Sequence, residues 1–174
     1  AELGRLELGP RLMVRYGAPY ASIHRADLHH LLTRAMLQQE GVHLCLDQAV
    51  AGFQQDEDAV ALQTSLGVRV EGDVLVGADG VWSHVRAALL DDGVAKPTGH
   101  LAYRAMLKTE ALPPSLRENR VTAWLGPRLH VVQYPVRGGE WTNVVAIVHG
   151  AVPDNLEDWD HSGYAADLLR AMGP

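Results

Sequence analysis

Asp73-Val74-Leu75-Val76-Gly77-Ala78-Asp79-Gly80-Val81-Trp82-Ser83-His84-Val85-Arg86 is the stretch on which the reading of the fold turns. Val74, Leu75 and Val76 are three consecutive apolar residues ending in a glycine-rich turn, the pattern of a strand buried on both faces. Ser83 stands where a helix N-cap belongs, ahead of Val85, Ala88 and Leu89. A strand, a glycine turn and a helix start form the corner at which open α/β sheets bind ligands. Gly77 and Gly80 carry no Cβ to keep a ligand off the backbone. The helix start offers unpaired N–H groups, and Asp79 sets a carboxylate beside them. A plain strand–turn–helix with Asp79 as a turn former accounts for the same residues, and spacing alone does not separate the two.

Upstream, alternation predicts a β-meander: Ala49–Gln54, an acidic turn at Asp56-Glu57-Asp58, Ala59–Thr64, a turn at Ser65-Leu66-Gly67, and Val68–Glu71. Val42–Leu46 reads as a strand that buries Cys45. A helix is expected over residues 25–40, with Leu28, Leu31, Leu32, Ala35 and Met36 on one stripe and Gly41 after the last turn. Residues 1–24 read as strands broken at Gly9-Pro10. Downstream, the polar segment Asp91–Gly99 reads as a domain crossing. Strands are expected over His100–Lys108, Val121–Leu125, Leu129–Pro135 and Thr142–His149, and a helix over Ser162–Met172. The organisation expected is therefore 1–24 as strands joining a second sheet, 25–97 as one partial α/β unit and 98–174 as a mostly antiparallel sheet.

The 174 residues carry a net charge of −6, with 47% hydrophobic and 21% charged residues. Disorder is excluded by this composition. A nucleic-acid or anionic-membrane partner is not expected, because little positive charge is offered to phosphates. The single cysteine rules out an internal disulfide and a cysteine-based zinc cluster. A reducing cytoplasm fits this cysteine usage. His24, His29 and His30 cluster at a helix start without a carboxylate or thiol to complete a metal triad.

Two further segments carry chemistry. Arg25 opens a helix, where a cation opposes the dipole and gains little; it is either held for an anionic ligand or simply paired with Asp27. In Leu129–Pro135, strand alternation puts His130, Val132 and Tyr134 on one face. A base, an apolar wall and a phenol would then line one space. A histidine titrating near neutrality suits removal of a phenolic proton. A half-buried histidine hydrogen-bonded within the sheet explains the same position.

His24-Arg25-Ala26-Asp27-Leu28 followed by Val76-Gly77-Ala78-Asp79-Gly80-Val81-Trp82-Ser83 resembles the group A FAD-dependent monooxygenases. Ala102-Tyr103-Arg104-Ala105, Leu125-Gly126-Pro127 and His130-Val131-Val132-Gln133-Tyr134-Pro135 are most similar to the salicylate hydroxylase and 3-hydroxybenzoate 6-hydroxylase subgroup. The resemblance covers nearly the whole chain. It implies a mixed α/β fold, with part of an FAD/NAD(P)-binding Rossmann-like domain and a substrate-binding sheet. It implies FAD as cofactor, NADH or NADPH as reductant, O2 as co-substrate and a small aromatic acid as substrate, with a homo-oligomer as a possible state. By the same resemblance Arg25, Val50 (or its neighbour Ala49, through the backbone), Asp79 and Gly80 are the cofactor-binding residues, and His130 and Tyr134 the catalytic ones. The family's opening G-x-G-x-x-G segment and closing Gly-Asp segment do not occur in the sequence. These residues by themselves are therefore expected neither to hold FAD tightly nor to hydroxylate, and to expose apolar surface that promotes self-association. Two other readings stay open: an FAD-dependent oxidoreductase or epoxidase on the same scaffold, or a folded fragment without activity of its own.

Overall fold

The computed structural model describes residues 1–150, Asn155 and 163–173. Trp159 and the first residue of the expected last helix, Ser162, lie outside the described residues. The chain divides into two compact units. One contains residues 1–36, 100–150 and 163–173; the other contains residues 37–99.

The first unit is built on a four-stranded antiparallel sheet of β4 (His100–Lys108), β5 (Thr122–Leu125), β6 (Leu129–Val136) and β7 (Trp141–His149). Its strand order is β4-β7-β6-β5. The alternating residues expected to form these strands do form them. One face is covered: Val148, Ala146, Thr142 and Gln133 are buried, and all four share that face by register. Gln133 Nε2 donates to the Leu116 carbonyl at 2.6 Å, and the Thr109 and Thr142 hydroxyls lie 2.9 Å apart. These bonds satisfy polar groups that burial would otherwise penalise. Helix α4 (Ala165–Met172) contacts β7.

The same unit contains α1 (Pro10–Tyr16) and α2 (Arg25–Leu37). The strands expected within residues 1–24 are absent, which corrects the sequence reading. Gly9-Pro10 starts a helix instead of breaking a hairpin. Proline at the first helical position has its φ preset and loses no hydrogen bond there, and Gly17 closes the helix at φ 72 with its N–H on the Met13 carbonyl. Helix α2 forms as expected, yet its apolar stripe is not covered: Leu28, Leu31 and Leu32 are exposed.

The second unit holds a three-stranded antiparallel meander, β1 (Val50–Gln55), β2 (Val60–Thr64) and β3 (Arg69–Gly72), and helix α3 (His84–Leu90). The acidic hairpin tip is organised by Asp56, whose Oδ1 accepts from the N–H groups of Asp58 and Ala59 at 3.0 and 2.9 Å. Val60 and Val85 supply this unit's buried apolar residues.

Two strands expected in this unit do not form. Residues 42–46 pair with nothing, and Cys45 is exposed, not buried. Asp73–Gly77 also lies outside any ladder, and Val74 and Val76 are 79% and 80% exposed. A strand buried on both faces requires neighbours on both edges, and the described residues supply none.

Candidate active site

The open face of the larger sheet brings together the residues singled out on β6. Register puts His130 beside Ile147, Val132 beside Val145 and Tyr134 beside Asn143. One strand further, Ile147, Val145 and Asn143 pair with Ala102, Arg104 and Met106. On the other edge, His130 and Val132 pair with Leu125 and Ala123. Directly paired residues share a face, so His130 and Tyr134 flank an apolar floor of Val132, Val145 and Ile147. These five side chains are half-buried, in contrast to the closed opposite face. Among the described residues neither the His130 nor the Tyr134 side chain has a hydrogen-bond partner. A histidine satisfied inside the sheet is therefore not what the geometry contains.

Arg104 falls on this face as well. Sequence reading placed it only within Ala102–Ala105. Strand parity alone could not connect it to His130, because the pairing of β4 with β7 and of β7 with β6 follows from long-range register.

Arg25 stands at the start of α2 with an exposed guanidinium and no partner among the described residues. Pairing with Asp27, the ordinary alternative, is ruled out by geometry: both carboxylate oxygens of Asp27 accept from Arg137, at 2.7 Å each. This bond, with the added charge of Arg137, holds the Asp27 carboxyl below the usual carboxylate range. His24 Nδ1 lies 3.9 Å from Asp27 Oδ1 and has no hydrogen bond of its own.

The Gly77–Ser83 turn lies in the other unit and is organised differently from a bare ligand cradle. Asp79 turns its carboxylate onto α3. Oδ1 accepts from the Ser83 hydroxyl, and Oδ2 accepts from the His84 and Val85 N–H groups at 2.8 and 3.2 Å. Ser83 Oγ in turn accepts from the Arg86 N–H at 2.9 Å. The Ser83 hydrogen bond is the largest of the effects that lower the Asp79 pKa. Gly77 is required by packing: a Cβ there would meet the Val85 side chain at 2.6 Å. Gly80, at φ 81, has open space where a Cβ would stand. Val50 opens β1 at a register shift between Val50 and Gly52, and the neighbouring Ala49 carbonyl accepts from the Ser65 N–H at 2.8 Å.

No protein-family model matches the chain. Over 152 residues it is 38% identical to a 3-hydroxybenzoate 6-hydroxylase of Polaromonas naphthalenivorans, an alignment covering 87% of this chain and 38% of that protein. It is 39% identical over 152 residues to an FAD-dependent monooxygenase of Beauveria bassiana, covering 83% of this chain and 34% of that one. A salicylate hydroxylase solved with its substrate superposes with a TM-score of 0.69 at 25% identity, over 90% of this chain and 42% of the other.

The chain matches a segment of the FAD-dependent aromatic hydroxylases.

It spans under two-fifths of the length of the two curated relatives named above. The sheet that carries His130 and Tyr134 lies within the matched part. In this segment the Gly-Ala-Asp-Gly turn is braced by its own helix cap. Among the described residues, no group of three or more histidine, cysteine, aspartate or glutamate side chains could hold a metal. No described helix is long and apolar enough to cross a membrane.

Proposed function

We propose that the complete protein is an FAD-dependent monooxygenase that hydroxylates a hydroxybenzoate-class aromatic acid with NADH or NADPH and O2. The observation that carries this reading is the open sheet face on which unpartnered His130 and Tyr134 flank the apolar row of Val132 and Val145. A flat ring rests against such a floor, and its polar substituents find partners only at the edges.

Taken separately, each unit holds residues suited to part of FAD. Arg25 is a cation with no partner among the described residues, suited to an anionic or polar edge of the cofactor. Gly80 leaves backbone uncovered at a positive φ that favours glycine, and the irregular start of β1 at Val50 leaves backbone groups for an adenine edge. Asp79 contributes by fixing the turn, since its carboxylate is taken up by α3. When bound, FAD supplies the redox and oxygen-transfer chemistry.

The chain's own residues bind, orient and deprotonate. An imidazole nitrogen of His130 accepts the phenolic proton of the ring. The resulting phenolate donates electron density to the carbon to be hydroxylated. Tyr134 holds the ring by its hydroxyl, and Val132, Val145 and Ile147 exclude water from the ring face. A cytoplasmic location fits the unpaired Cys45.

The test is product analysis with the complete, FAD-loaded protein. Hydroxybenzoates are expected to stimulate NAD(P)H oxidation with a dihydroxybenzoate formed, whereas methoxybenzoates, lacking the ionisable phenol, yield little product. FAD-loaded protein that forms no hydroxylated product from any hydroxybenzoate would overturn the assignment.

A further inference from the structure

Arg104 occupies a position on the open face that the catalytic pair leaves unused. It pairs with Val145, which pairs with Val132. Its cross-strand row therefore points at the midpoint between His130 and Tyr134 on β6. Strands spaced about 4.8 Å apart, with about 3.3 Å per residue, place the Arg104 Cα about 12 Å from the Cα atoms of both. Between them lie Val132, Val145 and Ile147, all aliphatic.

Charge on this face is unevenly committed. Lys108 shares the face at the far end of β4, but its ammonium is engaged: Nζ donates to Glu140 Oε1 at 2.6 Å and lies 4.3 Å from the centre of the Trp141 ring. Arg104 is exposed and has neither an ion-pair nor a hydrogen-bond partner among the described residues. An arginine set beside an aliphatic floor and lacking a protein carboxylate retains its whole donor fork. That planar fork matches a carboxylate in two parallel hydrogen bonds.

We propose that Arg104 is the specificity-determining residue that receives the carboxylate of the aromatic acid, with the ring lying over Val145 and Val132 and its hydroxyl directed to His130. This rests on the reading of the open face as the substrate site. It adds that the acid group and the phenol are read from the two strands that flank β7, so the distance across β7 selects the substrate.

The experiment uses the complete, FAD-loaded enzyme and follows the flavin absorbance change on titration with two probes, 3-hydroxybenzoate and the neutral 3-hydroxybenzamide. Arg104→Gln is expected to raise Kd for the acid by about 10- to 100-fold, the worth of a charge-assisted bidentate contact. It is expected to leave Kd for the amide within about twofold, and Arg104→Lys to restore part of the loss. FAD content and far-UV circular dichroism, unchanged in Arg104→Gln, exclude unfolding as the cause. If Arg104→Gln binds the acid as wild type does while His130→Ala alters its binding, the face is the substrate site and Arg104 is not the acid's partner. If Arg104→Gln weakens acid and amide equally, the role is structural and the proposal fails. If neither probe perturbs wild-type flavin, the substrate-site reading and this proposal fall together.

Discussion

Asp27 and Arg137, 110 positions apart, form a two-pronged ion pair in which Arg137 Nε donates to Oδ2 and Nη2 to Oδ1, both at 2.7 Å. The pair ties the first turn of α2 to the turn between β6 and β7. Beside it, the Ser22 hydroxyl donates to the Pro135 carbonyl at 2.5 Å. Arg137 holds its place at φ 52, a left-handed conformation that costs a non-glycine residue energy. The pair also leaves Arg25 uncommitted, two residues from the carboxylate that would otherwise neutralise it.

The first prediction concerns pH. The Arg137 hydrogen bond depresses the Asp27 carboxyl pKa in the folded protein, opposed by desolvation and reinforced by the charges of Arg137, His24 and His30. A depressed carboxyl adds stability above its ordinary range near pH ~4 and loses it as pH falls through the folded value. Asp27→Asn is therefore expected to melt lower than wild type at pH 6, with the gap closing toward pH 3. Thermal melts across this interval decide it; an equal gap at both ends would show that the pair is not electrostatic in origin.

A second prediction addresses the cap of α3. Ser83 Oγ accepts from the Arg86 N–H and its own hydroxyl donates to Asp79. Ser83→Ala is expected to cost about 1 kcal/mol, the usual value of a lost N-cap, and to raise amide exchange over residues 84–87. Exchange rates that stay at wild-type values would mean that Asp79 caps the helix unaided.

Gly77 leads to the third. A Cβ at this position meets Val85 Cγ1 at 2.6 Å, and Val85 is buried. Gly77→Ala is expected to destabilise by about 1–3 kcal/mol through overpacking. Val85→Ala in the same chain makes room, so the double variant is expected to lose less than the sum of the two single losses. Strict additivity in denaturant unfolding would show that the glycine is needed for something other than this contact.

The fourth tests the proton acceptor. In the complete enzyme, His130→Ala is expected to slow hydroxylation by about 10²–10⁴-fold, the contribution of a positioned base, while FAD remains bound. NAD(P)H consumption then continues without matching product. The ratio of product to NAD(P)H consumed is the measurement. A wild-type ratio at a wild-type rate removes His130 from the reaction, and loss of FAD assigns it a structural role.

Local pattern was sufficient wherever an element is stabilised by its own residues or its immediate neighbours in sequence. The meander over residues 50–72 has short turns and alternating side chains. The strands around His130 alternate, and Ser83 carries the cap that begins α3. The parity of β6 likewise put His130, Val132 and Tyr134 on one face before any partner strand was known. Where pairing with a distant segment decides the outcome, the pattern misled. Val74-Leu75-Val76 and Val42–Leu46 are apolar enough for strands, yet an extended segment becomes a strand only when another donates and accepts beside it. Gly9-Pro10 suits a hairpin break and a helix start equally, and the helical turn prevailed. Asp79 was recognised as the polar residue of its turn, but only the fold showed its oxygens occupied by Ser83, His84 and Val85. Proximity along the chain left Asp27 open as a partner for Arg25, whereas folding brought Arg137 to it from 110 positions away. Arg104 was visible as a residue and invisible as a neighbour of His130. Two cross-strand registers had to be set before its row met the face that carries His130, and register is a property of chain pairing that no single strand contains.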